Sequence, residues 1–411
     1  MKRLSIRNVG PITDVDVVMN RFNFFIGPQS SGKSTIAKIF STCSWIEKEV
    51  ATTFNERLIE EAEDFVSKMV DFHKMDTYFN EYSEIHFLTD IIRIDLEKGR
   101  FGIQLLDKSG YSRKKICYIP SERNAVTLPE LQGFEFGPTN LRSFLFDWYN
   151  ARDCYDEGHK TNILDLGVCY YYDSNETKYK DRIEHRNGNS YHMPLCSASS
   201  GLQSVIPLLV MLQYYSGQYF STYDEKLSFQ TDEKTRKISR HLVDEIVLKE
   251  SFPDYDPADR SRFVEMANKL LENGDREQRQ RLKRYTEELK RLTIPVATQF
   301  IVEEPEQNLF PDTQLDLVDM FFTLCNGERR HEFTVTTHSP YILNQLNLLF
   351  KRFDVNDTSH VGADFDEVSV YAVDDGHITD LKLQNAHLVN PEYLSAPLDR
   401  IYNQYDAYDK H

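Results

Sequence analysis

Residues 22–35 read FNFFIGPQSSGKST. The first five form an apolar run short enough for a buried strand, and a Gly-Pro pair ends it. The adjoining segment, Gly27-Pro28-Gln29-Ser30-Ser31-Gly32-Lys33-Ser34-Thr35, fits G-x-x-x-x-G-K-[ST], and a helical pattern begins near Lys33. Glycines let backbone N–H groups curl around phosphate oxygens at the positive end of a helix. In that pattern the loop from Gly27 to Thr35 cradles a nucleotide, Lys33 brings charge to its β- and γ-phosphates, and the Ser34 hydroxyl binds Mg²⁺. A Gly/Ser turn with a chance lysine has no reason to stand between an apolar strand and a helix. The order strand, loop, helix predicts an α/β fold of the phosphate-loop NTPase kind.

Outward from this stretch, apolar alternations at 3–7 and 15–19 predict two earlier strands and a β-rich N-terminal part. The helix opening near Lys33 is expected to pass Trp45 and Glu47, with helical spacing continuing to about residue 82. Residues 85–106 are strand-like, 115–120 form a strand stopped by proline, 129–157 are helical, 169–172 a strand and 184–195 one polar strand. An apolar helix is expected at 205–215. From about 225 to 292 the chain alternates charges, and DREQRQRLKRYTEELKRL has apolar residues only every three or four positions, the mark of a solvated helix and of half an antiparallel pair. Strands return at 299–302 and 333–337, and the tail from about 366 holds two short strands around a DDG turn, then a helix.

Three further segments carry chemistry. Residues 299–306, QFIVEEPE, are a strand running into adjacent carboxylates. In a phosphate-loop enzyme one carboxylate there holds the Mg²⁺ shell and its neighbour orients or deprotonates the attacking water. Glu303 takes the first place and Glu304 the second; side chains alternate along a strand, so the two are expected to point to opposite sides. Residues 197–203, SASSGLQ, place small residues at a helix start, where free N–H groups and hydroxyls face an anion. Residues 336–340, TTHSP, come directly after another strand.

Composition narrows the class. The 411 residues carry a net charge of −17, with 40% hydrophobic and 27% charged residues, too apolar for a disordered chain. The longest apolar stretch, near 205–212, is far below the ~20 residues that span a bilayer. The opening MKRLSIRNVGPI has no secretory pattern, and the six cysteines include no CxxC pair, so a cytoplasmic chain with reduced thiols is expected. A pI of about 5.2 argues against coating nucleic acid through the overall field, while leaving room for a local basic groove.

Taken together and in this order, the phosphate loop, SSG-x-Q, EEPE and THSP resemble the ATP-binding-cassette (ABC) type of ATPase. More narrowly they are similar to the RecF/SMC-like "AAA" ATPases that include the overcoming-lysogenization-defect (OLD) proteins; the likeness covers roughly residues 1–40, 115–125, 195–215 and 297–345. The resemblance implies ATP and Mg²⁺ as ligands and Mg²⁺-dependent hydrolysis of ATP to ADP and phosphate. Ser199, Ser200, Gly201 and Gln203 would be a signature touching the γ-phosphate held by a second subunit. Glu304 would be the catalytic glutamate, acting with Lys33; Glu303, with Ser34, would hold the metal shell; His338 would be a switch histidine sensing the γ-phosphate. The segment QNLFP after Glu306 resembles the loop coupling two sites across a dimer. The family's glutamine after the middle strand has no clear counterpart, and Glu122 or Arg123 takes its place.

Two departures shape the expected organisation. Between Gly201 and Glu303 lies far more chain than a compact cassette needs. The head is therefore assigned to 1–216 and 296–411, and residues 217–295 to a helical insertion serving as lid or partner-docking arm. After His338 too little chain remains for a fused Toprim nuclease. The leading expectation is an ATPase that forms a homodimer, or a higher homo-oligomer, around ATP and controls a separately encoded nuclease or toxin in bacterial anti-phage defence, with no membrane partner. The alternatives are a DNA repair or recombination clamp binding DNA directly, and a nucleotide-gated scaffold with negligible turnover.

Overall fold

The computed structural model describes residues 2–53, 55, 57–107, 110–128, 137–186, 188, 190–221 and 233–408. Positions 129–136, expected to open a helix, and 222–232, at the start of the charged region, lie outside the described residues.

Strands β1 (Lys2–Val9), β2 (Ile12–Met19) and β3 (Phe22–Ile26) precede helix α1 (Lys33–Thr53). Helix α2 (Ala62–His73) and strands β4 (Glu84–Leu88), β5 (Ile92–Glu97), β6 (Arg100–Leu105) and β7 (Lys114–Ile119) come after it. Next come α3 (Asn140–Arg152), β8 (Thr161–Asn162), β9 (Val168–Tyr172), β10 (Asp181–His185), β11 (Tyr191–Pro194) and α4 (Ser200–Gln213). The charged region supplies α5 (Glu233–Leu242), α6 (Arg260–Glu272) and α7 (Arg276–Thr293). The last part contains β12 (Ala297–Glu303), α8 (Pro311–Cys325), β13 (Glu332–Thr337), α9 (Pro340–Asp354), β14 (Val368–Asp374), β15 (His377–Asp380) and α10 (Pro391–Tyr408).

Eleven strands join one sheet in the order β6-β5-β4-β1-β2-β15-β14-β3-β13-β12-β7. Its working part is parallel: β14, β3, β13, β12 and β7 all run the same way. Parallel strands with helices on both faces read as continuous apolar runs, and every residue of β3 is buried. Phe22, Phe24 and Ile26 enter the core beneath α4, α8 and α9, whereas Phe25 packs into the core shared by α1 and the N-terminal strands. The N-terminal strands pair antiparallel as hairpins, and β8–β11 form a separate four-stranded sheet.

Several expectations change. The helical spacing to residue 82 resolves into α1, which extends to Thr53, and the shorter α2; residues 74–83 form turns and an irregular approach to β4. The polar segment 184–195 is not one strand but the facing parts of the hairpin β10–β11, with Ile183 opposite Met193. The charged region is more than a helical pair: α5, α6 and α7 pack through two small apolar clusters. One of these includes Ala51 of α1, and Lys234 reaches Glu49 at 2.6 Å. At 1.5 Å per residue, that root stands about 24 Å along α1 from Lys33. The DDG turn is a hairpin between β14 and β15, with Asp375 and Gly376 both at positive φ. No described helix is long and apolar enough to cross a membrane.

Candidate functional site

The phosphate loop leaves the C-terminal end of β3, between β14 and β13 in the parallel set, and enters α1. Two of its glycines are fixed by space. A Cβ on Gly27 would stand 2.0 Å from the Val373 carbonyl oxygen of β14, and Gly32 combines φ +109° with a Cβ position 2.9 Å from Ile12. Between them Ser30 is left-handed, at φ +60°. Lys33 is 5% exposed. Its ammonium donates to the carbonyl oxygens of Gly27 at 2.9 Å and Pro28 at 2.6 Å. Burial lowers its pKa to about 8, against the opposing pull of Glu304 and Glu306.

The carboxylates arrive from β12, one strand removed from β3. Glu303 pairs in register with Thr336 and is 3% exposed. Its Oε2 accepts the Ser121 N–H at 3.3 Å, whereas Oε1 is buried without a hydrogen-bond partner among the described residues. Burial pushes this carboxyl up, while Lys38, Tyr118, Ser121 and Ser34 favour its ionised form; the hydroxyls of Tyr118 and Ser34 stop short of a hydrogen bond to Oε1. An orphaned oxygen on a carboxyl that Ser34 helps hold in its ionised form suits a hard cation, so the donor set fits Mg²⁺. Mg²⁺ bound with nucleotide needs only one or two protein ligands, because phosphates and water supply the rest. No self-sufficient cluster of three His, Cys, Asp or Glu occurs among the described residues.

Glu304 diverges from Glu303, and more than the pleat alone accounts for this. Its backbone is left-handed at φ +45°, a costly conformation for a residue with a side chain. The Glu304 N–H donates to Thr336 O and its carbonyl accepts from Arg123 Nη2, each at 2.8 Å. The carboxylate thereby lies 3.5 Å from His338 Nε2. His338 sits between the end of β13 and Ser339, whose hydroxyl accepts from Tyr341 N–H at the start of α9.

Arg123 was expected only to fill the place of a missing glutamine. It is instead a fully buried tie, 0% exposed. Its guanidinium donates to Ser204 O at 3.0 Å, Glu303 O at 2.8 Å and Glu304 O at 2.8 Å. Burial lowers its pKa to about 10 against the pull of Glu306, Glu304 and Glu303. Glu122 is exposed and accepts from the Ser121 hydroxyl.

Ser199 stands at the N-cap of α4 without a side-chain capping bond, so its hydroxyl and that helix end remain available. Gln203 is spent within its own chain, donating to Cys196 O at 3.0 Å and Ala198 O at 2.8 Å. No hydrogen bond links Ser199, Ser200, Gly201 or Gln203 to the phosphate loop among the described residues. The structure thus brings together Lys33, Ser34, Glu303, Glu304 and His338, while the start of α4 packs against the turn beyond the glutamates and makes no hydrogen bond to the phosphate loop among the described residues. Sequence reading assigned no role of their own to Glu306, Tyr118 or Ser121, and placed Asn308 only within the QNLFP loop; only the proximity of Glu306 to the paired glutamates pointed to it.

Neither a family model nor a curated protein matches the sequence. Among solved structures, the chain is similar to the SMC head domain from Thermotoga maritima, at 8% identity and TM-score 0.38, covering 93% of this chain and 98% of that one. It is similar as well to the Smc head with an extended coiled coil derived from Pyrococcus furiosus, at 10% identity and TM-score 0.37, covering 94% and 98%. The recombination mediator protein RecF gives 10% identity and TM-score 0.32 over 92% and 97%. Identities of this size say nothing about individual residues.

Proposed function

We propose that this chain is an ABC-type ATPase that hydrolyses ATP with Mg²⁺ and dimerises around the nucleotide. One observation carries the reading: the buried, unpartnered Oε1 of Glu303 beside Ser34, at the strand end next to the Gly27–Thr35 loop. Ser34 and Glu303 would hold Mg²⁺, which neutralises charge on the phosphates when bound. Lys33 leaves the carbonyls of Gly27 and Pro28 for the β- and γ-phosphates. Glu304 accepts a proton from the water whose oxygen attacks the γ-phosphorus as the bond to the β-phosphate oxygen breaks, and ADP departs. His338, in contact with Glu304, reports on the γ-phosphate. Ser199, Ser200 and Gly201 serve the nucleotide of a second copy, whereas Gln203 shapes the turn that presents them.

The surroundings support a control element rather than a free-standing hydrolase. Within the insertion assigned to 217–295, the described helices α5 and α7 pack on the far end of α1, remote from the loop, and suit a partner-docking arm for a separately encoded effector such as the nuclease or toxin of an anti-phage system. A second reading, a DNA clamp, draws on the exposed Arg276, Arg279 and Lys290 of α7, which form no ion pair among the described residues.

Binding of Mg·ATP by Lys33→Ala tests the assignment, because its loss leaves phosphate charge unneutralised in a desolvated cradle. The variant is expected to fold normally and bind no ATP; wild-type affinity would sink the reading. Stimulation of hydrolysis by duplex DNA separates the clamp from the effector-controlling ATPase.

A further inference from the structure

Glu306 lies two residues beyond Glu304 and faces the same site. Its Oε1 accepts the backbone N–H of His338 at 2.6 Å, a short charge-assisted bond of the strong kind. Its Oε2 is closed off from solvent without a hydrogen-bond partner among the described residues, with the Thr337 hydroxyl nearby but short of one. Burial pushes this carboxyl up, and the His338 N–H is the leading influence holding it down.

The location explains why such a bond matters. The ladder between β13 and β3 ends at Thr337, paired with Ile26. Helix α9 is capped by Ser339. His338 occupies the one position between them, where neither strand nor helix fixes the backbone. The Glu306 carboxylate is the acceptor of its N–H. Glu306 is itself held by a tight turn, since Gln307 N–H donates to Glu304 O at 3.1 Å and Leu309 N–H to Glu306 O at 3.0 Å. The turn that carries Glu304 thus also carries the group that grips His338.

We propose that Glu306 is a positioning residue: through the His338 N–H it sets where the imidazole stands against Glu304, and so governs the hydrolytic step without contributing to nucleotide affinity. The inference rests on the roles proposed above for Glu304 and His338. A misplacement of about 1 Å at such a contact is enough to lower turnover by up to 10²-fold.

The test uses the full chain with Mg·ATP and compares Glu306→Gln, Glu306→Ala, Glu306→Asp, His338→Ala and the double variant Glu306→Ala/His338→Ala. Gln keeps an acceptor oxygen at the same reach and is expected to retain kcat within about threefold. Ala loses the tether, and Asp shortens it by a methylene; each is expected to lower kcat about tenfold or more with KM for ATP nearly unchanged. The double variant is expected to match His338→Ala alone, because a residue acting through another adds nothing once that other is gone. Multiplied effects in the double variant overturn the proposal, as does a loss carried by KM. If Glu306→Ala fails to fold, Gln against Asp decides: a Gln variant as impaired as Asp overturns the tether. Wild-type turnover by His338→Ala would instead remove the histidine's assigned role, and the proposal with it.

Discussion

A Cβ placed on Gly201 would stand 2.9 Å from the carbonyl oxygen of Asn308. Asn308 is itself left-handed, at φ +61°, and its side-chain amide donates to the Ser204 hydroxyl at 3.0 Å. The start of α4 and the loop beyond the paired glutamates therefore meet backbone to backbone. Arg123 bridges Ser204 to both glutamates and ties them into one block. If α4 faces a second copy's nucleotide while the glutamates serve their own, this block is where the two sites of a dimer communicate.

Enlarging Gly201 therefore tests assembly rather than binding. Gly201→Val forces the Asn308 backbone away, an overpacking worth about 1–3 kcal/mol of stability. The phosphate loop is untouched, so ATP binding by the single chain is expected to persist, while ATP-induced dimerisation and turnover fall together. Sedimentation with and without Mg·ATP reads this directly, and Ser200→Arg, adding bulk at the same helix start, is expected to behave likewise. A full ATP-induced dimer in both variants would show that α4 does not face a partner.

The two glutamates are expected to separate chemically. Glu304→Gln keeps the shape and loses the basicity, so it binds ATP, closes the dimer and traps it, with hydrolysis lowered by roughly 10²-fold or more. Glu303→Gln places an amide beside Ser34 and is expected to weaken Mg²⁺ dependence and Mg·ATP affinity instead. Single-turnover hydrolysis beside an assay of the trapped dimer distinguishes them; near-normal turnover by Glu304→Gln would falsify the assignment of the base.

Arg123 offers a stability test with a functional arm. Arg123→Met fills a similar volume but removes the guanidinium donor from the carbonyls of Ser204, Glu303 and Glu304. Buried acceptors stripped of a charged partner cost about 2–4 kcal/mol in total. A lower melting temperature is expected together with loss of hydrolysis, because the left-handed Glu304 loses one of its three backbone anchors. Unchanged melting would show that the guanidinium is dispensable.

Acid sensitivity is expected to involve two buried histidines, His73, whose pKa burial lowers to about 3, and His331. His331 is 2% exposed; its Nδ1 accepts the Thr298 N–H at 3.0 Å, and Nε2 bonds Ser216 O at 3.0 Å. That arrangement requires a neutral ring, and burial lowers its pKa to about 4 from 6.5. The unfolded chain binds the proton more readily, so stability is whole above about pH 6.5 and declines as the pH falls toward 4. Denaturant midpoints at pH 7 and pH 5 check the sign, and His331→Gln is expected to reduce the dependence while the contribution of His73 persists.

Strand β3, the phosphate loop, α1 and the strand running into Glu303 were all legible in the chain, because each is written locally. A doubly buried parallel strand is a continuous apolar run, and a loop that must curl around phosphate needs glycine where a side chain has no room. The hairpin around Asp374–Asp375–Gly376 was legible for the same reason. The hairpin β10–β11 was not, since its strands are polar and no apolar alternation marks where one ends and the next begins.

What only the tertiary structure decided is which distant groups share a backbone. The sequence shows paired glutamates and a histidine 34 residues on; strand pairing between β12 and β13 sets Glu304 against His338. It shows arginine and glutamate at 123 and 306 as two charges among many, yet one is a fully buried tie and the other the grip on His338. Periodicity reports which face of an element is apolar. It carries no information about which carbonyl a buried guanidinium will meet, because that depends on where two strands and a helix end in space.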